Sequence, residues 1–251
     1  MNVSNVINNQ LKKSLNNRKL KDPSIPLRYL EIGVHRGETI TGVHESIDNV
    51  KVIKEGVDPY GPFGDGIIHR MTSQVFFALN EYFIKNTYDV IYIDAMHFSP
   101  IVTQEINESL KILNHYGTIL LDDTLPYTEA QQGVTLKSLT NWQKLVSFPQ
   151  FHNYSDDSDL NFKYYTDFPG YPHAKGDCWK SVAKIRMTRS DIKVVTIDGD
   201  SLQRPLTLMC LDHNSSQTLL PTIKDEDINW EYFCKNKDNI LCFVSDENGL
   251  N

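Results

Sequence analysis

Four apolar runs in this chain meet carboxylates. The run 27–32 carries Glu31, the run 51–57 stops at Asp58, the run 88–93 stops at Asp94, and the run 117–121 stops at Asp122-Asp123. Short apolar runs of this kind, rich in Val, Ile, Leu and Tyr, predict buried strands. Between and after them lie segments that read as helices, at 38–47, 73–85, 100–113 and 179–189. Alternation of this sort points to an α/β fold: a mostly parallel, doubly wound sheet with helices on its faces. Such a sheet delivers the carboxyl ends of its parallel strands to one rim, and ligands bind there. A lone acid after a strand is an ordinary turn or cap residue. Four in succession predict a ligand site.

The first of these acids belongs to a turn. In Tyr29-Leu30-Glu31-Ile32-Gly33-Val34-His35-Arg36-Gly37 the spacing is E-x-G-x-x-x-G, between a strand and a helix. It is not the G-x-G-x-x-G of dinucleotide sites, where a helix N-terminus meets a pyrophosphate anion. An acid two residues before the first glycine suits a ligand with a positive end. The same spacing also occurs in plain strand-to-helix connections.

Composition narrows the classes. The chain has 251 residues and a net charge of −7, with no basic run, so a nucleic-acid backbone is not the expected partner. No run of about 18 apolar residues is present, so no membrane span is expected. Residues 1–17 are Asn-rich and lack an apolar signal core, which predicts a cytoplasmic location. Cys178, Cys210, Cys234 and Cys242 form no C-x-x-C pair and read as reduced thiols. Val3, Val6, Ile7, Leu11 and Leu15 predict an amphipathic N-terminal helix, and residues 1–26 read as that helix with its linker.

Three further segments carry a resemblance. They are Tyr92-Ile93-Asp94-Ala95-Met96-His97-Phe98, Gly117-Thr118-Ile119-Leu120-Leu121-Asp122-Asp123-Thr124-Leu125-Pro126, and Gly176-Asp177-Cys178-Trp179-Lys180. With the glycine turn they resemble, in order, the motifs of class I S-adenosylmethionine (SAM) dependent methyltransferases. The branch is methyltransferase family 24, related to the metal-dependent O-methyltransferases of macrolide sugars. The likeness runs from about residue 27 to 212. It departs at Asn114-His115-Tyr116-Gly117, where Pro-Gly-Gly is typical, and at Ala95, where glycine is common. It implies one Rossmann-like domain over residues 1–251, a sheet of about seven strands, and an antiparallel last strand at 206–211.

The resemblance also implies roles. Gly33 and Gly37 would let the backbone approach the methionine part of SAM, and Glu31 would face its ammonium. Asp58 would accept from both ribose hydroxyls, and Tyr60 would lie against the adenine. Thr72 and Ser73 lie where the family contacts the adenine, though either also suits a helix cap. Asp94, Asp122 and Asp123 would hold a divalent ion, Mg²⁺ foremost. The other reading has Asp94 touching SAM while Asp122 and Asp123 cap the next helix. His97, three residues after Asp94, is either a general base for the acceptor hydroxyl, with Asp94 beside it as the second catalytic residue, or a hydrogen-bonded loop residue.

Ten of the chain's 26 aromatics fall in the insertion 124–175. It predicts either an acceptor-binding lid or a contact between subunits of a homo-oligomer. The expected activity is methyl transfer from SAM to a hydroxyl of a sugar, glycan precursor or small metabolite. The alternative is a non-catalytic SAM- or nucleotide-binding partner of a glycan-synthesis enzyme.

Overall fold

The buried strand 88–93 anchors the sheet, because every residue in it is buried. The computed structural model describes residues 2–18, 22, 24–60, 65–80, 87–95, 97–127, 129, 176–198, 205–212 and 217–244. Most of the aromatic insertion, residues 130–175, and the predicted end of the helix at 81–85 lie outside these.

In chain order the elements are α1 (Val3–Asn17), β1 (Leu27–Ile32), α2 (Glu38–Gly42), β2 (Ser46–Ile47), β3 (Val50–Val57), β4 (Ile67–His69), α3 (Ser73–Asn80), β5 (Tyr88–Ile93), α4 (Ser99–Ile112) and β6 (Leu113–Leu121). After the undescribed segment come α5 (Cys178–Thr188), β7 (Ile192–Ile197), β8 (Leu206–Leu211), a 3-10 turn at Asp225–Asp227, α6 (Trp230–Leu241) and β9 (Phe243–Val244). The strand order is β2-β3-β1-β5-β6-β8-β7-β9, with β4 also paired to β3. Strands β4, β3, β1, β5 and β6 are mutually parallel, and β8 runs antiparallel to both β6 and β7. This is the doubly wound, Rossmann-like sheet expected, including the antiparallel strand at 206–211. The two strands beyond the expected seven, β2 and β9, are two residues each.

Alternating strand residues feed two cores. Leu30, Ile32, Ile91 and Ile93 pack with α3, α4, α5 and α6 on one face. Leu27, Tyr29, Val90 and Tyr92 pack with α1 and α2 on the other. Helix α1 is therefore part of the main fold: Val6, Ile7, Leu11 and Leu15 are buried in that second core. Its end is tied to the strand N-termini by Asp89, which accepts from Arg18, Ser14 Oγ, the Arg28 amide and Asn114. Those donors satisfy a fully buried carboxylate that burial alone would disfavour.

Two local expectations change. The helix predicted over 38–47 stops at Gly42, and the chain turns back as a β2–β3 hairpin. Asp48 and Asn49 both adopt positive φ (48° and 67°), the pattern of a type I′ turn. The strand predicted from residue 117 begins at Leu113, directly after α4. Its register with β5 shifts between the pairs Tyr88–Leu113 and Val90–Thr118, so Asn114-His115-Tyr116-Gly117 forms an irregularity within the strand.

Candidate active site

The glycine turn is built by close backbone packing. Gly33 has φ +89°, and a Cβ there would lie 2.3 Å from the Asp94 carbonyl oxygen and 2.5 Å from Ala95 Cα. Only glycine lets the ends of β1 and β5 approach this closely. Gly37, φ +76°, opens α2. Between them His35 takes φ 47° and donates its amide to Asp58 Oδ2 at 2.8 Å. The Tyr60 amide donates to Asp58 Oδ1 at 2.7 Å. The buried Asp58 carboxylate is thus fixed by two amides, one of them from the glycine loop. Each oxygen keeps further acceptor capacity.

Glu31 is 1% exposed and accepts from the Tyr29 hydroxyl at 2.6 Å. Burial pushes its carboxyl up to about 8. The Tyr29 hydrogen bond opposes that rise, and the nearby Asp94 and Asp58 charges reinforce it. A carboxyl in this state is short of a cation. An analogous pair stands one strand over: the Tyr92 hydroxyl lies within hydrogen-bond distance of Asp94 Oδ2, at 3.0 Å, and of Asp122 Oδ2. The register pairs Glu31 with Tyr92 across β1 and β5, which sets the two Tyr–acid couples side by side.

Asp122 is fully buried. Its Oδ1 accepts the Asp123 amide at 2.7 Å, and its Oδ2 faces Tyr92. Asp123 instead takes φ 52°, a left-handed conformation that Asp tolerates better than most residues. His97 Nε2 lies 3.2 Å from Asp94 Oδ1 and 3.3 Å from Asp123 Oδ2. Among the described residues, Asp94, His97 and Asp123 form the one group whose ligand atoms, all within 4.8 Å of one another, could hold a metal ion. The geometry therefore joins Asp94 and Asp123 to His97 rather than to Asp122.

Thr72 and Ser73, the residues expected near an adenine, both make bonds within the protein. Thr72 Oγ1 accepts the Val75 amide at 3.4 Å, a weak cap for α3. Ser73 Oγ donates to the buried Glu105 at 2.6 Å. Ser73 is thereby turned inward, while the Thr72 hydroxyl keeps its O–H as a donor. Tyr60 is partly exposed at the rim.

Several contributors were not singled out from the sequence. Tyr29 and Tyr92 each stand two residues before an acid, so strand periodicity places each pair on one face. The motif at 176–180 also acquires a physical role. The Asp177 amide donates to the His97 carbonyl at 3.1 Å, and Asp177 Oδ1 accepts the Ser99 amide at 2.6 Å at the start of α4. Trp179, fully buried, packs on Phe233 with ring centroids 4.6 Å apart.

No protein-family model matches the chain, and no curated protein matches it. Among solved structures it is similar to the O-methyltransferase TomG of Streptomyces achromogenes, involved in tomaymycin synthesis and solved with SAM, at 11% identity, covering 82% of this chain and 77% of that one with a TM-score of 0.43. It is also similar to an O-methyltransferase of Bacillus cereus (9% identity, 74% of each chain, TM-score 0.41) and to the SAH-bound methyltransferase PaMTH1 of Podospora anserina (14%, 82% and 88%, TM-score 0.42). At these TM-scores the likeness adds nothing to the geometry above. No helix among the described residues is long and apolar enough to cross a membrane.

Proposed function

We propose that the chain is a SAM-dependent methyltransferase acting on a hydroxyl of a sugar, glycan precursor or small metabolite. The observation that carries this reading is the joining of Asp58 to the glycine loop. A two-oxygen acceptor is held rigid by the His35 and Tyr60 amides beside a Gly33 that brings β1 and β5 into contact. Such an acceptor suits the two vicinal hydroxyls of a ribose. Glu31, on the same rim, is a buried carboxyl whose ionisation calls for a cation, and an ammonium group meets that need.

SAM supplies an electrophilic methyl group on a sulfonium. The protein binds and aligns the reactants, which is the larger part of catalysis for a displacement of this kind. The acceptor hydroxyl loses its proton at the cluster of Asp94, His97 and Asp123, on the strand ends beside Gly33. Asp94 and Asp123 are also the carboxylates that would hold a divalent ion. The chain's negative charge supports a small or sugar acceptor over a nucleic acid. Isothermal titration of the purified protein with SAM, its demethylated product and NAD tests the reading. Micromolar binding of the first two, roughly −8 kcal/mol, with none of NAD, is the expected result. An absence of SAM binding overturns it.

A further inference from the structure

His97, Phe98 and Ser99 carry the chain from the rim into α4, and one distant residue holds both ends of that step. The Asp177 amide donates to the His97 carbonyl at 3.1 Å, and Asp177 Oδ1 accepts the Ser99 amide at 2.6 Å. Asp177 Oδ2 accepts the Ser99 hydroxyl at 3.2 Å. Asp177 and Ser99 are both buried, where a polar group left unpaired is costly.

The direction of this carboxylate is unusual for its place. Asp177 is the N-cap residue of α5, where an aspartate ordinarily accepts from an amide of its own helix. It makes no such bond, and its Oδ1 goes to α4 instead. The N-cap residue of α4, Phe98, has no side-chain cap of its own, so Asp177 supplies the missing partner from outside. A cap alone would leave the carbonyl before it unheld. Here the amide of the same residue takes the His97 carbonyl, and Ser181, one turn into α5, donates its hydroxyl to the Ser99 carbonyl at 2.9 Å. The step is pinned to the start of α5 at the His97 carbonyl, the Ser99 amide and the Ser99 carbonyl.

The imidazole has little slack. His97 Nε2 lies 3.2 Å from Asp94 Oδ1 and 3.3 Å from Asp123 Oδ2, the long end of hydrogen-bond range, so a backbone shift of about 1 Å breaks both contacts. Tyr92 holds Asp94 from its other oxygen, at 3.0 Å. The acids are thus set by the strand ends and the ring by α5. We propose that Asp177 is a positioning residue for His97, holding the imidazole against Asp94 and Asp123; the consequence for catalysis rests on the methyltransferase reading. Misplacing a reacting group by about 1 Å costs on the order of 100-fold in rate.

The test needs no acceptor. The full chain is labelled with ¹³C-histidine, and the ring Cε1–H signals of its eight histidines are recorded at one fixed pH. The His97 signal is the one lost in His97→Ala. Asp94→Asn should shift that signal in the otherwise native protein. Asp177→Ala leaves the buried Ser99 amide unpaired, so the step must move to recover a partner. In that background Asp94→Asn should shift the His97 signal by less than about half as much, because the two residues no longer meet. Asp177→Asn keeps an oxygen for the Ser99 amide and should restore the full shift. A residue that only supported folding would lower Tm and leave the shift whole. Circular dichroism checks folding. Should the alanine variant not fold, Ser99→Pro replaces it, because proline fits the first helical position and lacks the amide that Asp177 accepts. A full shift in the folded alanine or proline variant overturns the proposal, as does the absence of any shift with Asp94→Asn alone. SAM titrated into the native protein reports separately on methyl transfer. The expected signals without SAM binding sink the methyltransferase reading alone, and SAM binding with a full shift in the variant sinks the positioning role alone.

Discussion

Gly176 lies against His97 so closely that a Cβ built on it would stand 1.7 Å from the His97 carbonyl oxygen. Its φ of +62° is also a conformation that side chains other than glycine rarely adopt. The segment that closes the undescribed insertion thus fixes the backbone from which His97 reaches Asp94 and Asp123. Gly176→Ala must move that backbone. Stability should fall by about 1–3 kcal/mol from the conformation alone. For a chain of this size that lowers Tm by roughly 2–4 °C per kcal/mol. Methyl transfer should slow with it, because His97 is displaced from Asp94 and Asp123, while the amide-held Asp58 carboxylate stays in place and SAM affinity changes little. A folded variant with native turnover would show that Gly176 does not position His97.

Asp58 is the residue on which cofactor binding should depend most. Its carboxylate already accepts two amides, so loss of it removes ligand contacts and also frees the glycine loop at His35. Asp58→Ala should weaken SAM binding by about 1.5–3 kcal/mol, or roughly 10–150-fold. Asp58→Asn keeps the shape and one acceptor oxygen and should cost less. Calorimetry at fixed pH decides this, and unchanged affinity in the alanine variant would remove Asp58 from the site.

The sheet was legible because apolar runs and their terminal acids have a period and a place. Strands β1, β5 and β8 begin and end where the sequence puts them, β3 begins one residue earlier, and α4 is shifted by one residue at both ends. The hairpin at β2 was missed because Asp48-Asn49 is a weaker turn signal than Asn-Gly, so the helical pattern ran on through it. In the site, spacing brought Glu31, Asp58, Asp94 and Asp123 to one rim. It could not tell Asp122 from Asp123, because adjacent residues at a strand end differ in direction only through backbone angles, here a positive φ at Asp123. Nor could it show that Ser73 is turned inward to Glu105, a partner 32 residues away.

Glu105 should make stability depend on pH. It is buried with Oε2 unpartnered, and burial pushes its carboxyl up to about 7, opposed by the Ser73 hydrogen bond and by the His97 charge. The unfolded chain ionises it near 4.5. Between these values the folded state holds a proton that the unfolded state has lost, so this residue lowers stability as pH rises from about 4.5 to 7 and adds no further change above. Glu105→Gln keeps an acceptor for Ser73 and removes the titration. Relative to the native protein, the variant should gain roughly 1–3 kcal/mol between pH 5 and pH 8 in urea unfolding. Parallel stability curves for the two proteins would show that Glu105 keeps the same protonation in both states.

Glu31 should couple SAM binding to proton release. Its carboxyl, faced by Tyr29, Asp94 and Asp58, titrates at about 8, so at pH 7 the free protein carries it roughly nine-tenths protonated. An ammonium placed beside it favours the ionised form, and the proton must leave when the ligand binds. Affinity should therefore rise with pH below 8, by up to about tenfold per unit. The ligand's own amino group titrates near 8 as well, so the informative range is pH 5.5–7, and the informative quantity is the difference between native protein and Glu31→Gln. The native protein should show binding enthalpies that differ between phosphate and Tris by up to one proton's worth of buffer ionisation. In Glu31→Gln that difference should vanish, the pH slope should flatten, and affinity at pH 8 should drop by roughly tenfold or more, the cost of a lost hydrogen bond to a charged group. Equal pH slopes and equal buffer dependence in the two proteins would place the ammonium elsewhere on the rim, with Glu31 a buried acid that takes no part in binding.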